Sequence, residues 1–142
     1  MTLDELQAQA EKDLKIDDTE LDLESLKTPQ LHSQYLKTYS TYALMLKKAE
    51  GEYSKLHIKK WLFFTGKAEP QEYKDSNFDL KVLRQDVDKF IDADEEIIKS
   101  KQKIEYLKQI CGYCESTLKQ INNRTFQIKN AIEWKKFTMG SM

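Results

Sequence analysis

The sequence predicts an all-α fold of long amphipathic helices with coiled-coil-like packing. With only 4 Gly and 2 Pro, it has too few turn-forming residues for an all-β chain. Charged residues make up 33% and hydrophobic residues 39%, proportions that suit helices with a single apolar face. At 142 residues the length fits one domain. Because its modest apolar content predicts a thin core, we expect self-assembly to complete the burial.

Two helices are predicted over residues 1–66. Thr2 and Glu5 have the spacing of a capping box ahead of a short first helix. Thr28 and Pro29 have the pattern of an N-cap and first position for a long second helix, which Gly66 would end. The apolar seam of this second helix comprises Tyr35, Tyr39, Tyr42, Leu46, Ala49, Tyr53, Leu56, Lys60 and Phe63, with Lys60 as its one charged member.

The second half of the chain is predicted as a loop followed by two more helices. Residues 67–78 contain Pro70 and several turn-forming residues, and are expected to be a loop. A long helix is expected over 79–122, and Asn122–Asn123 favours a bend before a terminal amphipathic helix over 124–138. The heptad seam of the long helix comprises Ile97, Ile104, Leu107, Cys111, Cys114, Leu118 and Ile121.

No residue pattern predicts catalysis, so the chain is not expected to be an enzyme and no cofactor is expected. Cys111 and Cys114 have redox-motif spacing but fall inside a predicted helix, where buried, reduced thiols are the favoured interpretation. The two His residues are distant from them, which leaves a zinc site short of ligands. The acidic run Asp92–Glu96 is interpreted as a solvated surface, so no metal site is expected.

A basic-aromatic stretch, KLHIKKWLFFTGK over residues 55–67, is the strongest functional signal. The segment 44–67 carries six Lys against two Glu in a chain of net charge -1. Cations that follow phosphates, together with aromatic rings that stack on bases, are the two requirements for binding a single strand without sequence preference. The predicted nucleic-acid-binding residues are Lys55, His57, Lys59, Lys60, Trp61 and Lys67.

Three other interpretations of this stretch are possible. In the first, Phe63 belongs to the core and the lysines are solvated surface residues. In the second, the chain is a helical protein–protein adaptor without nucleic-acid binding, whose aromatic edge docks a partner helix and whose lysines keep it soluble. Insertion of the WLFF edge, residues 61–64, into a membrane surface is a lesser alternative, since few basic residues accompany it.

Several segments resemble the UvsY family of recombination mediators from T-even-like bacteriophages. They are LDELQAQAEKDLKID, EGEYSKLHIKKWLFFTGK, IDADEEIIK and RTFQIKNAI. The resemblance implies a ring-forming oligomer, a hexamer or heptamer, that binds single-stranded DNA. It also implies that the protein helps a RecA-like phage recombinase displace the phage single-strand-binding protein during homologous recombination, repair and recombination-dependent replication. The expected location is the host cytoplasm, with no membrane partner.

The resemblance also assigns roles to particular residues. A pair of DNA-contacting cations in the family precedes the run Leu62–Gly66, and Lys60 occupies one of the two positions. Ile58 stands at the other, and the charge is expected to have moved to Lys59, about 100° around the helix; Lys55 and His57 are expected to compensate. Because the terminal helix of the family serves self-association, the resemblance implies the same role for the terminal helix here. The residues expected to make the contact are Phe126, Ile128, Ile132 and Phe137.

Overall fold

The computed structural model describes Met1–Gly140, and these residues form helices and connecting segments with no strand. The prediction of an all-α fold is confirmed. The helices are α1 (Leu3–Leu14), α2 (Leu21–Phe64), α3 (Pro70–Ser76), α4 (Val87–Asp92) and α5 (Glu95–Thr138), with a 3-10 turn at Arg84–Asp86. The chain divides into two compact units: Met1–Ala43 with the residues from Lys108 onward (unit 1), and Leu44–Leu107 (unit 2).

Helix α1 begins with the predicted capping box. The Glu5 amide donates to Thr2 Oγ1 at 3.1 Å, and the Thr2 amide donates to Glu5 Oε2 at 3.2 Å. These reciprocal bonds satisfy two amides that the first turn of a helix leaves unpaired. One face of α1 buries Leu6 and Ala10 in the core of unit 1. The buried residues of this core are Leu6, Ala10, Leu31, Tyr35, Ile110, Cys114 and Ile121.

The prediction that Thr28 and Pro29 begin the second helix is wrong. Helix α2 begins at Leu21, and Pro29 lies inside it. An interior proline removes one helical hydrogen bond and costs about 3 kcal/mol. The turns before Pro29 are nevertheless anchored, because Leu21 and Glu24 are both buried in unit 1.

Glu24 anchors the start of α2 through a buried ion pair with Arg124 of α5. Arg124 Nη2 donates to a Glu24 carboxylate oxygen and, at 3.3 Å, to the Glu24 carbonyl. Arg124 Nη1 donates to the Leu14 carbonyl at 3.4 Å, at the end of α1. Arg124 is only 1% exposed, so one guanidinium joins three helices inside unit 1.

The expected bend at Asn122–Asn123 is also wrong, since α5 continues without a break to Thr138. Both asparagines are exposed, while Ile121 and Arg124 on either side are buried and hold the helix in place.

The start of α5 also differs from the prediction. Instead of a helix from residue 79, the chain has an extended segment, the 3-10 turn and α4 before α5 begins at Glu95.

Unit 2 has an aromatic core in which the end of α2 packs against α4 and the first turns of α5. Phe64, Val87, Ile91 and Ile97 are buried there. The expected loop 67–78 contains the short helix α3, with Pro70 at its start. Helix α3 is attached to the end of α2 because Tyr73 Oη donates to the Phe63 carbonyl at 2.7 Å.

The two cysteines are free and buried, as the packing interpretation predicted. Burial is the main cause that raises the pKa of the Cys114 thiol to about 11, and it also raises the pKa of Cys111. Thiols with raised pKa values are poor nucleophiles and poor metal ligands at neutral pH.

Candidate nucleic-acid interface

The last turns of α2 carry an exposed stripe of alternating basic and apolar side chains in unit 2. It consists of Lys55, Ile58, Lys59 and Leu62, which follow one another at spacings of three, one and three residues and therefore share one helix face. Ile58 is 59% exposed and Leu62 is 38% exposed. We call this set the α2 stripe. It places two cations beside aliphatic surface, so it meets the cationic requirement for binding a single strand but supplies no aromatic ring of its own.

Lys60, by contrast, points to the other side of α2 and is paired within the protein. Its ammonium lies 3.2 Å from Asp94 Oδ2 and 3.5 Å from Glu96 Oε1, and its side chain is only 16% exposed. The rotation of about 100° between neighbouring helix positions explains why Lys59 is exposed and Lys60 is not. Of the two adjacent lysines, Lys59 is the exposed one.

The turn after α2 brings Lys67 back onto Trp61. Gly66 has a φ of 80°, in the left-handed region, and its amide donates to the Phe63 carbonyl at 3.2 Å. The Lys67 amide donates to the Leu62 carbonyl at 2.8 Å, and the two bonds together form a Schellman motif. The predicted C-cap at Gly66 is therefore confirmed. Chain reversal here leaves Lys67 Nζ 4.7 Å from the centre of the Trp61 ring.

Trp61 and His57 are half-buried, so each belongs partly to the interface and partly to the core. Trp61 packs against the core of unit 2. The His57 ring lies 5.9 Å from that of Tyr53, which packs against the same core. Three of the six predicted nucleic-acid-binding residues, Lys55, Lys59 and Lys67, are exposed.

A cavity of about 670 Å³ in unit 2 is unsuited to phosphate. Lys59 and Lys60 line it, but so do four carboxylates, Glu72, Asp75, Asp94 and Glu96. The negative charge would repel a phosphate group at close range.

The acidic run Asp92–Glu96, interpreted from the sequence as a solvated surface, contains three residues in ion pairs. Asp94 and Glu96 pair with Lys60, and Asp92 pairs with Lys101 at 3.5 Å.

Sequence reasoning missed Arg84, a basic residue that the fold brings close to the basic-aromatic stretch. It lines a smaller cavity together with Trp61 and Lys67, although it is seventeen positions from Lys67 in the chain. No periodicity connects it with the basic-aromatic stretch, because a short helix and an extended segment separate them.

The fold agrees with the comparisons to known proteins. A sequence model of the family described as "Recombination, repair and ssDNA binding protein UvsY" matches residues 9–141. The chain belongs to the UvsY family. A relative, the recombination protein uvsY of Enterobacteria phage T4, is 24% identical over 141 residues, which cover 99% of each chain. The resemblance that the sequence segments indicated is thus confirmed.

Solved structures show the same fold as this UvsY-family chain. The crystal structure of the bacteriophage T4 recombination mediator protein UvsY in lattice type II has a TM-score of 0.83 at 24% identity, covering 98% of each chain. In lattice type IV the TM-score is 0.84 at 21% identity, covering 97% of this chain and 99% of that chain. At this identity the likeness establishes the helical fold.

The UvsY-family chain has a separate aromatic surface near the end of α5, in unit 1. Phe126, Ile132 and Phe137 are 65%, 37% and 75% exposed, and Trp134 stacks on Phe137 with ring centres 5.8 Å apart. Ile128 differs from the other three residues predicted for self-association, because it is only 3% exposed and buried within the chain. Exposed aromatic side chains clustered on one helix are typical of an interaction surface.

Neither a metal cluster nor a membrane span is found in the part of this UvsY-family chain that the structure describes. Across residues 1–140, no group of three or more His, Cys, Asp or Glu side chains could hold a metal ion. Within the same residues, no helix combines the length and apolar character needed to cross a membrane.

Proposed function

We propose that this protein is a recombination mediator that binds single-stranded DNA without sequence preference and helps a RecA-like recombinase load onto DNA covered by single-strand-binding protein. Membership of a recombination, repair and single-stranded-DNA-binding family supports this role. The observation that carries it within this chain is the α2 stripe, where the exposed cations Lys55 and Lys59 alternate with exposed Ile58 and Leu62.

The α2 stripe suits a flexible strand better than a duplex. Its ammonium groups would neutralise phosphates, while the aliphatic side chains between them offer apolar contact to unpaired bases, which a duplex keeps stacked inside. Each phosphate neutralised on a single strand contributes about -0.7 to the slope of log affinity against log salt. Two exposed lysines per subunit give only weak binding on their own, so several subunits must act together.

Assembly of a ring through exposed apolar residues of α5 would supply that valency. Phe126, Ile132 and Phe137 are the subunit-contacting residues in this proposal. Once one subunit holds the strand, its neighbours bind at a high effective concentration, and weak contacts add to strong avidity. A strand bent around the ring would fit the single-strand-binding protein poorly and present its bases to the recombinase.

Titration of a labelled oligonucleotide at two ionic strengths tests the DNA-binding part. We expect Lys55→Ala/Lys59→Ala to weaken binding and to reduce the salt slope by about 1.4, two contacts' worth. Lys12→Ala/Lys119→Ala is the matched control, because it removes two exposed lysines from α1 and α5 without touching the α2 stripe. Strand affinity left intact in a Lys55→Ala/Lys59→Ala protein that still assembles would contradict the proposal.

Competition between the recombinase and the single-strand-binding protein tests the mediator part. The strand is first covered with single-strand-binding protein, and the amount of recombinase that co-sediments with it is measured with and without this protein. We expect more recombinase on the strand when the wild-type protein is present and less gain with Lys55→Ala/Lys59→Ala. No gain with a wild-type protein that binds the bare strand would contradict the mediator part and leave the DNA-binding part standing.

A further inference from the structure

The cavity beside Trp61 differs in charge from the larger one in the same unit. Its volume is about 290 Å³, and none of its described lining residues is acidic. Two are cationic, two are valines, and the others are an indole and a hydroxyl-bearing side chain. They are Trp61, Thr65, Lys67, Val82, Arg84 and Val87.

This lining matches the chemistry of one nucleotide. An indole and two valine side chains offer a flat ring an apolar environment, whereas Lys67 and Arg84 supply charges for a phosphate. Arg84 can engage two phosphate oxygens at once through its planar guanidinium. Lys67, whose Nζ lies 4.7 Å from the centre of the indole, shows that the Trp61 face is accessible to another group.

We propose that this cavity is a nucleotide subsite: one base of the bound strand lies against Trp61, and the adjoining phosphate is bound by Arg84 and Lys67. The inference rests on the proposed single-strand binding and adds Arg84 as a contact residue outside the basic-aromatic stretch. In the absence of DNA, Lys67 covers the ring; on binding, its ammonium moves to the phosphate and the base takes its place.

Base stacking is tested by comparing a thymidine strand with an abasic strand of equal length. Stacking on one aromatic ring changes affinity by on the order of 5- to 150-fold. We therefore expect Trp61→Leu to weaken binding of the thymidine strand by about fivefold or more, and of the abasic strand by less than about twofold. Equal weakening of both strands would overturn the subsite, because a change in fold or charge alone does not distinguish them.

The phosphate contact is tested by comparing Arg84→Ala with the control variant Lys89→Ala. Lys89 is an exposed cation of α4 that is not among the residues lining the cavity. We expect Arg84→Ala to weaken both strands and to reduce the salt slope by about 0.7, and Lys89→Ala to change the slope less. Identical behaviour of the two variants would also overturn the proposal.

Tryptophan fluorescence of Trp134→Phe, in which Trp61 is the remaining one of two tryptophans, gives a second readout. The thymidine strand should quench it at saturation and the abasic strand should not, because only a stacked base contacts the indole. Binding without this difference contradicts the subsite alone. A wild-type protein that binds neither strand contradicts the proposed function itself, so the two failures are distinguishable.

Discussion

Lys60 Nζ lies 3.2 Å from Asp94 Oδ2, and this pair ties the charged position of the α2 seam to the start of α5. The other carboxylate oxygen, Asp94 Oδ1, accepts hydrogen bonds from the Glu96 and Ile97 amides at 3.0 and 3.2 Å. Asp94 thus acts as the N-cap of α5 while it neutralises Lys60. The lysine is a structural cation in the unbound protein, although the family resemblance assigns it to DNA.

Lys59→Ala and Lys60→Ala should therefore affect strand binding unequally. Lys59 is exposed, so its loss should reduce the salt slope by about 0.7. Lys60 is neutralised by two carboxylates, so its loss should leave the slope nearly unchanged. Fluorescence anisotropy over a range of salt concentrations measures both.

The reverse experiment releases Lys60. Asp94→Asn/Glu96→Gln keeps a capping side chain at position 94 but removes both negative partners. If the freed lysine reaches phosphate, the slope becomes steeper by about 0.7. Equal slope losses in Lys59→Ala and Lys60→Ala would instead show that DNA already displaces the carboxylates from Lys60.

Gly66→Ala should destabilise the protein by about 1–2 kcal/mol, the cost of placing a side chain in the left-handed region. An added Cβ meets no atom within 4 Å, so the effect comes from the backbone φ of 80° alone. Gly51→Ala is the control inside α2, the helix that precedes Gly66, and an added Cβ has open space there as well. It should stabilise by about 0.5–1 kcal/mol. Urea unfolding followed by circular dichroism measures both, and an unchanged midpoint for Gly66→Ala would contradict the Schellman assignment.

Arg124→Met should cost about 3–5 kcal/mol, because it leaves the buried Glu24 carboxylate without its α5 partner. The exposed Lys119 on the same helix provides the control, and Lys119→Met should change stability by less than about 0.5 kcal/mol. Chemical denaturation at neutral pH compares them. Similar midpoints for the two variants would show that the pair contributes little.

The stability of unit 1 should fall in acid because of the same carboxylate. A hydrogen bond from Lys27 at 2.8 Å, followed by that from Arg124, lowers the pKa of Glu24 below its ordinary value of 4.5. A carboxyl group whose pKa is lower in the folded than in the unfolded state stabilises the protein at pH values above its unfolded-state pKa. That stabilisation is lost as the pH falls through the folded-state pKa. Unfolding midpoints measured below pH about 5 should therefore fall more steeply for the wild type than for Glu24→Gln; parallel profiles would contradict the assignment.

Assembly should depend on the exposed aromatic residues of α5. We expect Phe126→Asp/Phe137→Asp to sediment as smaller species, because charged side chains would replace the exposed rings. Gln127→Asp/Thr138→Asp adds the same charge at neighbouring exposed positions and should sediment like the wild type. Ile128→Asp is uninformative about assembly, since Ile128 is buried within the chain and its substitution would disturb the fold. Unchanged sedimentation of Phe126→Asp/Phe137→Asp would refute the surface.

Local signals in the sequence predicted several features of the structure correctly. The capping box at Thr2 and Glu5 and the C-cap at Gly66 depend on a few neighbouring residues, and both are present. The apolar seams also hold, since every listed position on α2 and α5 is buried or half-buried. The wrong predictions, at Pro29 and at Asn122–Asn123, concern helix breaks that buried neighbours override.

The sequence by itself determined that this chain is helical and which helix faces are apolar, because both follow from the 3.6-residue period of the helix. It also determined where cations and aromatic rings are concentrated, because that depends on side-chain chemistry alone. Only the tertiary structure decided which cations remain exposed. Lys60 is bound by Asp94 and Glu96, and Arg124 is buried against Glu24, while Arg84 joins Trp61 and Lys67 around one cavity. The physical reason is that a charge is neutralised by whichever group lies near it in space, and those groups are up to a hundred residues away in the chain.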